Sequence, residues 1–576
     1  MKRLFVAVVL SIVVAAAGCG KSGTKTPEEI ASTDSVVTAP DGKLTPAELG
    51  RQSLVGANPA PVVDKVVTDG GTLVRRYNAE PDTLNPLTST DAYASALLSL
   101  MTDSLASRNR DTLEFEPELA ESWELSDDHL TYTFHLRKDV RWHDGKPFTA
   151  ADVIYSFEKI TDTTVNAPSI RNYYRDLQSV VAPDDYTVVF TWAKPYFLSF
   201  ESSATMPIVP KHIFDDGQDF NTHPAGRTPV GNGMYRFVEW KTNQELVLQR
   251  NEDYYGRKPH IKKIITVFTP DDNAALIQAS SGDIDTMGVR IEQWVNELQT
   301  DTLRQKFNRY SYDERYYSYI GWNERRPFFS DRRVRLAMTQ LTNREAILES
   351  IYYGLGKIVT GTFFIHSDSY SPEIKPWPYD PVEGARLLDE AGWTDHDSDG
   401  IRDKAIDGKT VKFEFDFMFP SGSKTAEKIG VLLQEELKKA GVIVNLRNLE
   451  WAAFLQRLDN ADFDAVTLAW SLSIEQDPYQ LWHSSQIAEG GSNYVAFKND
   501  ELDSLIEQAR TEFDPEKRNA LYHRFNEIVH EEQPYTFLFC PPATAIVNKR
   551  FHNVIVHTLG LDVRDWYVPA AMQKPL

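Results

Sequence analysis

The residue types best spaced for inorganic chemistry lie in Asp395-His396-Asp397-Ser398-Asp399-Gly400-Ile401-Arg402-Asp403. Oxygens at Asp395, Asp397 and Asp399, a turn at Gly400, a backbone carbonyl at Ile401 and a further carboxylate at Asp403 match the opening of an EF-hand calcium loop. The closing Glu is absent: Ile406 stands in its place and Asp407 comes one residue late. A strand expected from Val411 also displaces the second helix such a loop requires. The favoured reading is an Asp/Gly-rich connector, with Ca2+ as the alternative and no other cofactor. Catalytic patterns are scarce. His530-Glu531-Glu532-Gln533-Pro534 lacks the second His of a zinc protease helix, and no Gly-x-Ser-x-Gly occurs. Gly20-Lys21-Ser22 looks like the end of a phosphate loop, but Ala15 stands where its first Gly belongs. His483 has no second His at ligand spacing. Two carboxylates flanking a sugar would suffice for a secreted carbohydrate hydrolase, yet nothing singles out a pair. Enzyme activity is not expected.

The elements that would carry these residues are those of an α/β protein. In residues 131–137, Tyr132, Phe134 and Leu136 alternate with polar side chains, as a half-buried strand requires. Asp144-Gly145 makes a turn. Thr149 and Asp152 then form a capping box for a helix with Val153, Phe157 and Ile160 on one face. Further strands are expected over 71–77, 187–192, 245–250 and 261–269. In the second half, helices over 343–353, 381–391 and 423–440 alternate with strands over 411–418, 442–449 and 463–469, as in a βαβ-style lobe. Helices over 499–511 and 515–532 follow.

At 576 residues and net charge −22, the chain must divide into lobes, and its body repels nucleic acid and anionic lipid. Its only cysteines are Cys19 and Cys540. Lys2 and Arg3 precede an apolar run from Leu4 to Ala17 that is too short to span a bilayer. The run ends in Ala16-Ala17-Gly18-Cys19, which resembles a bacterial lipobox and implies cleavage before Cys19, acylation of that residue and a membrane anchor. Residues 20–69, rich in Ser, Thr, Pro and Gly, are expected to form a flexible tether with a reach of roughly 40 Å.

The run from Leu119 to Ile160 carries more than secondary structure. Ala120-Glu-Ser-Trp123, Phe134-His-Leu-Arg137, Arg141-Trp-His-Asp-Gly-Lys-Pro-Phe-Thr-Ala-Ala-Asp-Val153 and Tyr155-Ser-Phe157 resemble the signature of the dipeptide/oligopeptide-type solute-binding proteins of ABC transporters, extracellular family 5. Glu80-Pro-Asp-Thr-Leu-Asn-Pro86, Pro229-Val-Gly-Asn-Gly-Met-Tyr235 and Gly282-Asp-Ile-Asp285 are similar to other segments of that family. The resemblance implies a two-lobed periplasmic-binding-protein-like (Venus flytrap) α/β fold of the large type. Lobe I would cover 70–318 with an inserted subdomain over about 87–225, lobe II 319–534, and a return to lobe I 535–576. It implies a monomer outside the cytoplasmic membrane, in the periplasm or at the cell surface. This monomer would capture a small solute between its lobes and deliver it to a permease. A short peptide is the first expectation; an oligosaccharide, opine or nickel chelate is the alternative.

The resemblance also points to site residues. In Ala469-Trp470-Ser471-Leu472-Ser473-Ile474-Glu475-Gln476-Asp477-Pro478 the family commonly places an Asp that holds a peptide's ammonium group. Here that position is Ser473, and one extra residue precedes Asp477. A hydroxyl supplies no anion, so Glu475 would have to take the role. Trp470, Trp482 and Trp322 are the expected cleft aromatics, with Ser471, Tyr319 and Asn323 beside them.

Overall fold

The computed structural model describes residues 44–488 and 491–574. The apolar leader and the lipobox Cys19 lie outside the described residues. The chain divides into two compact units, one of Gly56–Tyr312 with the segment from Ala543, the other of Asp313–Pro542 with the segment up to Val55. No helix among the described residues is long and apolar enough to cross a membrane.

The first unit is built on a seven-stranded sheet. Its order is Phe307–Asp313, Pro542–Asn548, Thr286–Gly288, Thr72–Tyr77, Lys263–Phe268, Glu245–Arg250 and Tyr235–Lys241. Thr72–Tyr77 runs parallel to both neighbours, Lys263–Phe268 and Thr286–Gly288. A four-stranded antiparallel sheet in the same unit contains Ala120–Leu125, Thr131–Leu136, Thr187–Trp192 and Leu177–Asp184. Its burial alternates as the sequence pattern requires, with Tyr132, Phe134 and Leu136 inside. Helix Ala150–Thr161 opens with the Thr149/Asp152 capping box. These elements share a core of their own that runs from Leu87 to Ala225.

Gly231 and Gly233 of the Pro-x-Gly-x-Gly-x-Tyr segment are fixed by crowding rather than by dihedral freedom. A Cβ on Gly231 would sit 1.9 Å from the Met101 carbonyl oxygen, and one on Gly233 2.6 Å from the Met101 carbonyl carbon. The same approach lets His143 Nδ1 accept from the Gly231 amide at 3.2 Å while Nε2 donates to the Gly233 carbonyl at 2.9 Å.

The second unit holds a five-stranded sheet in the order Ile443–Leu449, Glu414–Pro420, Ala465–Ser471, Tyr316–Trp322 and Tyr535–Phe537. The first three strands are parallel and the last two pairings antiparallel. Helix Pro515–Glu532 begins with Pro at its first turn and Asp514 as cap. Helix Asp500–Thr511 is capped by Asn499.

Three expectations shift. The crossover expected at 319 occurs at 312/313, because all of Tyr316–Trp322 pairs within the second sheet. The return expected at 535 occurs at 542/543, because Tyr535–Phe537 is also held in that sheet. The described part of the expected tether is fixed rather than free. Helix Pro46–Ser53 forms on the Thr45/Glu48 capping box. Further along, Asn58 exchanges hydrogen bonds with Ser311, Asp64 pairs with His552 at 2.8 Å, and Asp69 pairs with Arg250 and His260, each at 2.8 Å. Composition hid the contacts of Asn58, Asp64 and Asp69, since their partners lie between 181 and 488 residues away.

Candidate functional site

In the second unit, one face of the sheet brings together aromatic rings from three strands. Tyr319 stacks on Tyr535 with centroids 3.9 Å apart and lies parallel to Trp470 at 6.4 Å. Tyr317, Phe537 and Trp482 pack around them. The Tyr319 and Tyr535 hydroxyls and the Trp470 Nε1 are buried together, with the Tyr535 hydroxyl within reach of the other two. Burial pushes both tyrosine hydroxyls well above their ordinary pKa, so they stay protonated and able to donate.

The loop after Ala465–Ser471 carries the expected polar residues. Ser471 and Ser473 are exposed. Glu475 meets Arg518 at 3.3 Å and Asp477 meets Arg510 at 2.9 Å. Asp477 also accepts the Tyr479 amide at 3.0 Å, and the Arg510 guanidinium lies over the Tyr479 ring at 4.3 Å. Both carboxylates of the loop are therefore committed to arginines of the helices Asp500–Thr511 and Pro515–Glu532. Glu475 is thus paired with Arg518 rather than free.

Three other expected site residues are buried and hydrogen-bonded within the second unit. Trp322 is fully buried, donates from Nε1 to Thr536 Oγ1 at 3.0 Å and packs on Phe329 and Phe415. It lies on the sheet face opposite Tyr319, since side chains alternate along a strand. Asn323, also fully buried, donates to the Ala461 and Phe463 carbonyls at 3.2 and 2.7 Å. Trp482 is buried too, and its Nε1 donates to Thr362 Oγ1 at 3.2 Å.

The acidic loop brings Asp395, Asp397 and Asp403 oxygens within 4.8 Å of one another. Asp399, a ligand in the calcium reading, is instead held by the Lys412 ammonium, which also lies 3.8 Å from Asp397. Asp395 accepts the Asp399 and Gly400 amides at 3.1 and 3.0 Å, and Asp403 takes His396 Nδ1 at 2.7 Å. Ile401 donates its amide to Asp399. The loop leads into the hairpin Asp403–Ile406/Lys409–Lys412 rather than a helix.

The first unit holds a cavity of about 50 Å³ that the sequence did not single out. Arg76, Tyr77, Asn78, Tyr93, Asp272 and Arg290 are among its lining residues. Arg76 Nη2 and Arg290 Nε each lie 2.8 Å from Asp272, one on each carboxylate oxygen. Their gathering depends on the parallel pairing of distant strands, which no local sequence signal announces.

Residues 114–492 match the family model of bacterial extracellular solute-binding proteins, family 5. The oligopeptide-binding protein AppA of Bacillus subtilis (strain 168) is 34% identical over 497 residues, covering 82% of this chain and 86% of the relative. The solved structure of AppA from Bacillus subtilis in complex with a nonapeptide aligns with a TM-score of 0.74 at 31% identity, over 88% of this chain and 100% of that one. NikZ from Campylobacter jejuni in complex with Ni(L-His) aligns at 0.73 and 26% identity, over 86% and 99%. The two-unit α/β architecture, the matched segment and the shared length together place the chain: it belongs to the extracellular solute-binding proteins of family 5.

Proposed function

We propose that the chain captures a peptide outside the cytoplasmic membrane and delivers it to an ABC transporter permease, acting as a monomer anchored through lipid on Cys19. Its likeness to an oligopeptide-binding protein supports the peptide class. One observation favours a peptide held along its length over one clamped by its amino end. Ser473 is neutral, and Glu475 and Asp477 are already paired with Arg518 and Arg510. An ammonium group would find no uncommitted carboxylate among these three residues. The stacked rings of Tyr319, Tyr535 and Trp470 offer an aromatic face that would pack against a peptide. Binding of this kind requires no covalent step and no cofactor. The acidic loop 395–403 is assigned a structural role, with Lys412 as its internal cation.

Mass spectrometry of the solute released from the purified chain by mild denaturation tests this reading. A ladder of peptides several residues long is expected. A single metal chelate or glycan would retain the transport role and overturn the peptide class. Intact-mass analysis of chain purified from membranes tests the anchor: a chain beginning at Cys19 with added acyl mass is expected, and an unmodified amino terminus would refute it.

A further inference from the structure

Among the described residues the chain passes between the two units three times. Besides the crossings at 312/313 and 542/543, a third falls at 55/56, where the segment ending at Val55 belongs to the second unit and the segment from Gly56 to the first.

Both ends of this third passage are fastened. On the second unit, helix Pro46–Ser53 lies against the end of helix Arg344–Tyr352. A Cβ on Gly50 would sit 1.9 Å from the Tyr353 carbonyl oxygen, so the approach is as close as glycine alone permits. Ala47 donates its amide to Glu349 Oε1 at 3.4 Å, and Ser53 is buried with its Oγ donating to the Gly50 carbonyl at 2.6 Å. On the first unit, Asn58 brackets Phe307–Asp313, the edge strand of the seven-stranded sheet. Its amide donates to the Arg309 carbonyl at 2.8 Å, its Nδ2 donates to the Ser311 carbonyl at 2.7 Å, and its Oδ1 accepts the Ser311 amide at 2.8 Å. Asn58 takes a left-handed φ of 50° to do so, a conformation asparagine tolerates better than most residues. The next fastening is the Val62 carbonyl, which accepts the Asn553 amide at 2.8 Å.

Leu54, Val55, Gly56 and Ala57 separate the two fastenings. The Leu54 and Val55 amides donate to the Arg51 and Gln52 carbonyls, each at 3.2 Å, so the link is coiled rather than taut. Val55 is 72% exposed, and Gly56 turns the chain with a φ of 72°. Fully extended, the five steps from Ser53 to Asn58 reach roughly 17 Å. Each fastening also lies close along the chain to another crossing. Ser311 comes just before 312/313, and Tyr353 leads into Lys357–Ile358, which pairs with Phe539 and Cys540 just before 542/543. A short, coiled link with firm ends can lengthen and then stop.

We infer that residues 46–58 form a third strand of the hinge, a strap of limited length that uncoils as the units part and prevents them from parting further. The inference rests on the proposed capture role, in which the units close on a solute. By excluding wide-open states the strap raises the fraction of the chain near the binding-competent state, and with it the apparent affinity.

The test compares the purified, solute-free chain with a variant carrying ten Gly/Ser residues between Val55 and Gly56. A control carries the same insert between Asp407 and Gly408, in a hairpin turn where a Cβ on Gly408 would meet nothing within 4 Å. Small-angle X-ray scattering should give the strap insert a larger solute-free radius of gyration than the unaltered chain and the control. All three radii should agree once a random nonapeptide pool is bound. The pool should bind the strap insert about threefold to sixfold more weakly, the upper figure following from loop-closure scaling for a link lengthened from four residues to fourteen. Asn58→Ala moves the first-unit fastening to Val62 and should act in the same direction with a smaller effect. Unchanged melting temperatures show that neither unit has been damaged. Equal solute-free radii for the strap insert and the control would overturn the strap. Failure of the pool to bind the unaltered chain would overturn the peptide reading, and the solute-free radii would still decide the strap.

Discussion

Asp285 and Arg550 form the most deeply buried ion pair of the first unit, with side chains 0% and 9% exposed. Arg550 donates from Nε to Asp285 Oδ1 at 2.9 Å and from Nη2 to Oδ2 at 2.6 Å. It also donates to the Thr72 carbonyl at 2.6 Å, while Asp285 Oδ2 accepts the Val74 amide at 3.0 Å. Asp285→Asn keeps the volume and the acceptor for Val74 but removes the charge. The guanidinium is then left buried without its counter-ion, and breaking one side of such a pair costs about 3–5 kcal/mol. Because Asn retains part of the hydrogen bonding, the lower end of about 3 kcal/mol is expected. Adding Arg550→Met removes the stranded charge, so the double variant should recover at least about 1 kcal/mol relative to the single one. Urea unfolding followed by tryptophan fluorescence measures both, with the transitions of the two units fitted separately since a chain of two units is not two-state. A loss below about 1 kcal/mol for Asp285→Asn, or a double variant less stable than the single, would refute the reasoning.

Other outcomes follow from the same physics. Gly231→Ala should destabilise the first unit by at least about 2 kcal/mol, because its Cβ would meet the Met101 carbonyl at 1.9 Å; thermal melts check this. Desolvation raises the Glu314 carboxyl from 4.5 to about 7. The folded chain then binds more protons than the unfolded one between those values, so the contribution is full below 4.5 and lost as pH rises through about 7. Glu314→Gln should flatten that part of the stability profile for the second unit, and an unchanged slope would exclude Glu314 as its source. Chelation with EDTA should leave the melting temperature unchanged, since Lys412 already neutralises Asp399; a drop restored by calcium would return the acidic loop to the metal reading.

Local signals carried much of the fold. Pro515 after the cap Asp514 and the Thr149/Asp152 box mark helix starts that the structure retains, and alternation marks the strand Thr187–Trp192. These features depend on neighbours within a few residues. The site was less legible. Tyr319, Trp322 and Asn323 look alike as residues of one crossover strand, but the two-residue period sends Tyr319 and Trp322 to opposite faces. The loop acids Glu475 and Asp477 read as free until Arg518 and Arg510 arrive from helices further along the chain. Arg76, Asp272 and Arg290 gave no motif at all, because parallel pairing of distant strands is what collects them.

The strand Pro542–Asn548 lies inside the seven-stranded sheet, pairing Val547 with Thr286, and Arg550 reaches back 478 residues to the Thr72 carbonyl. The sheet of the first unit cannot be completed until Pro542–Asn548 has been made. Contacts of such separation form slowly, because the loop between them must be closed before any bond rewards it. For a binding protein that works outside the cytoplasm this delay is useful: a domain that cannot finish folding from its amino-terminal portion stays threadable during export. Deleting the tail from residue 543 onward would therefore be expected to leave a first unit that is exported but never completes its sheet.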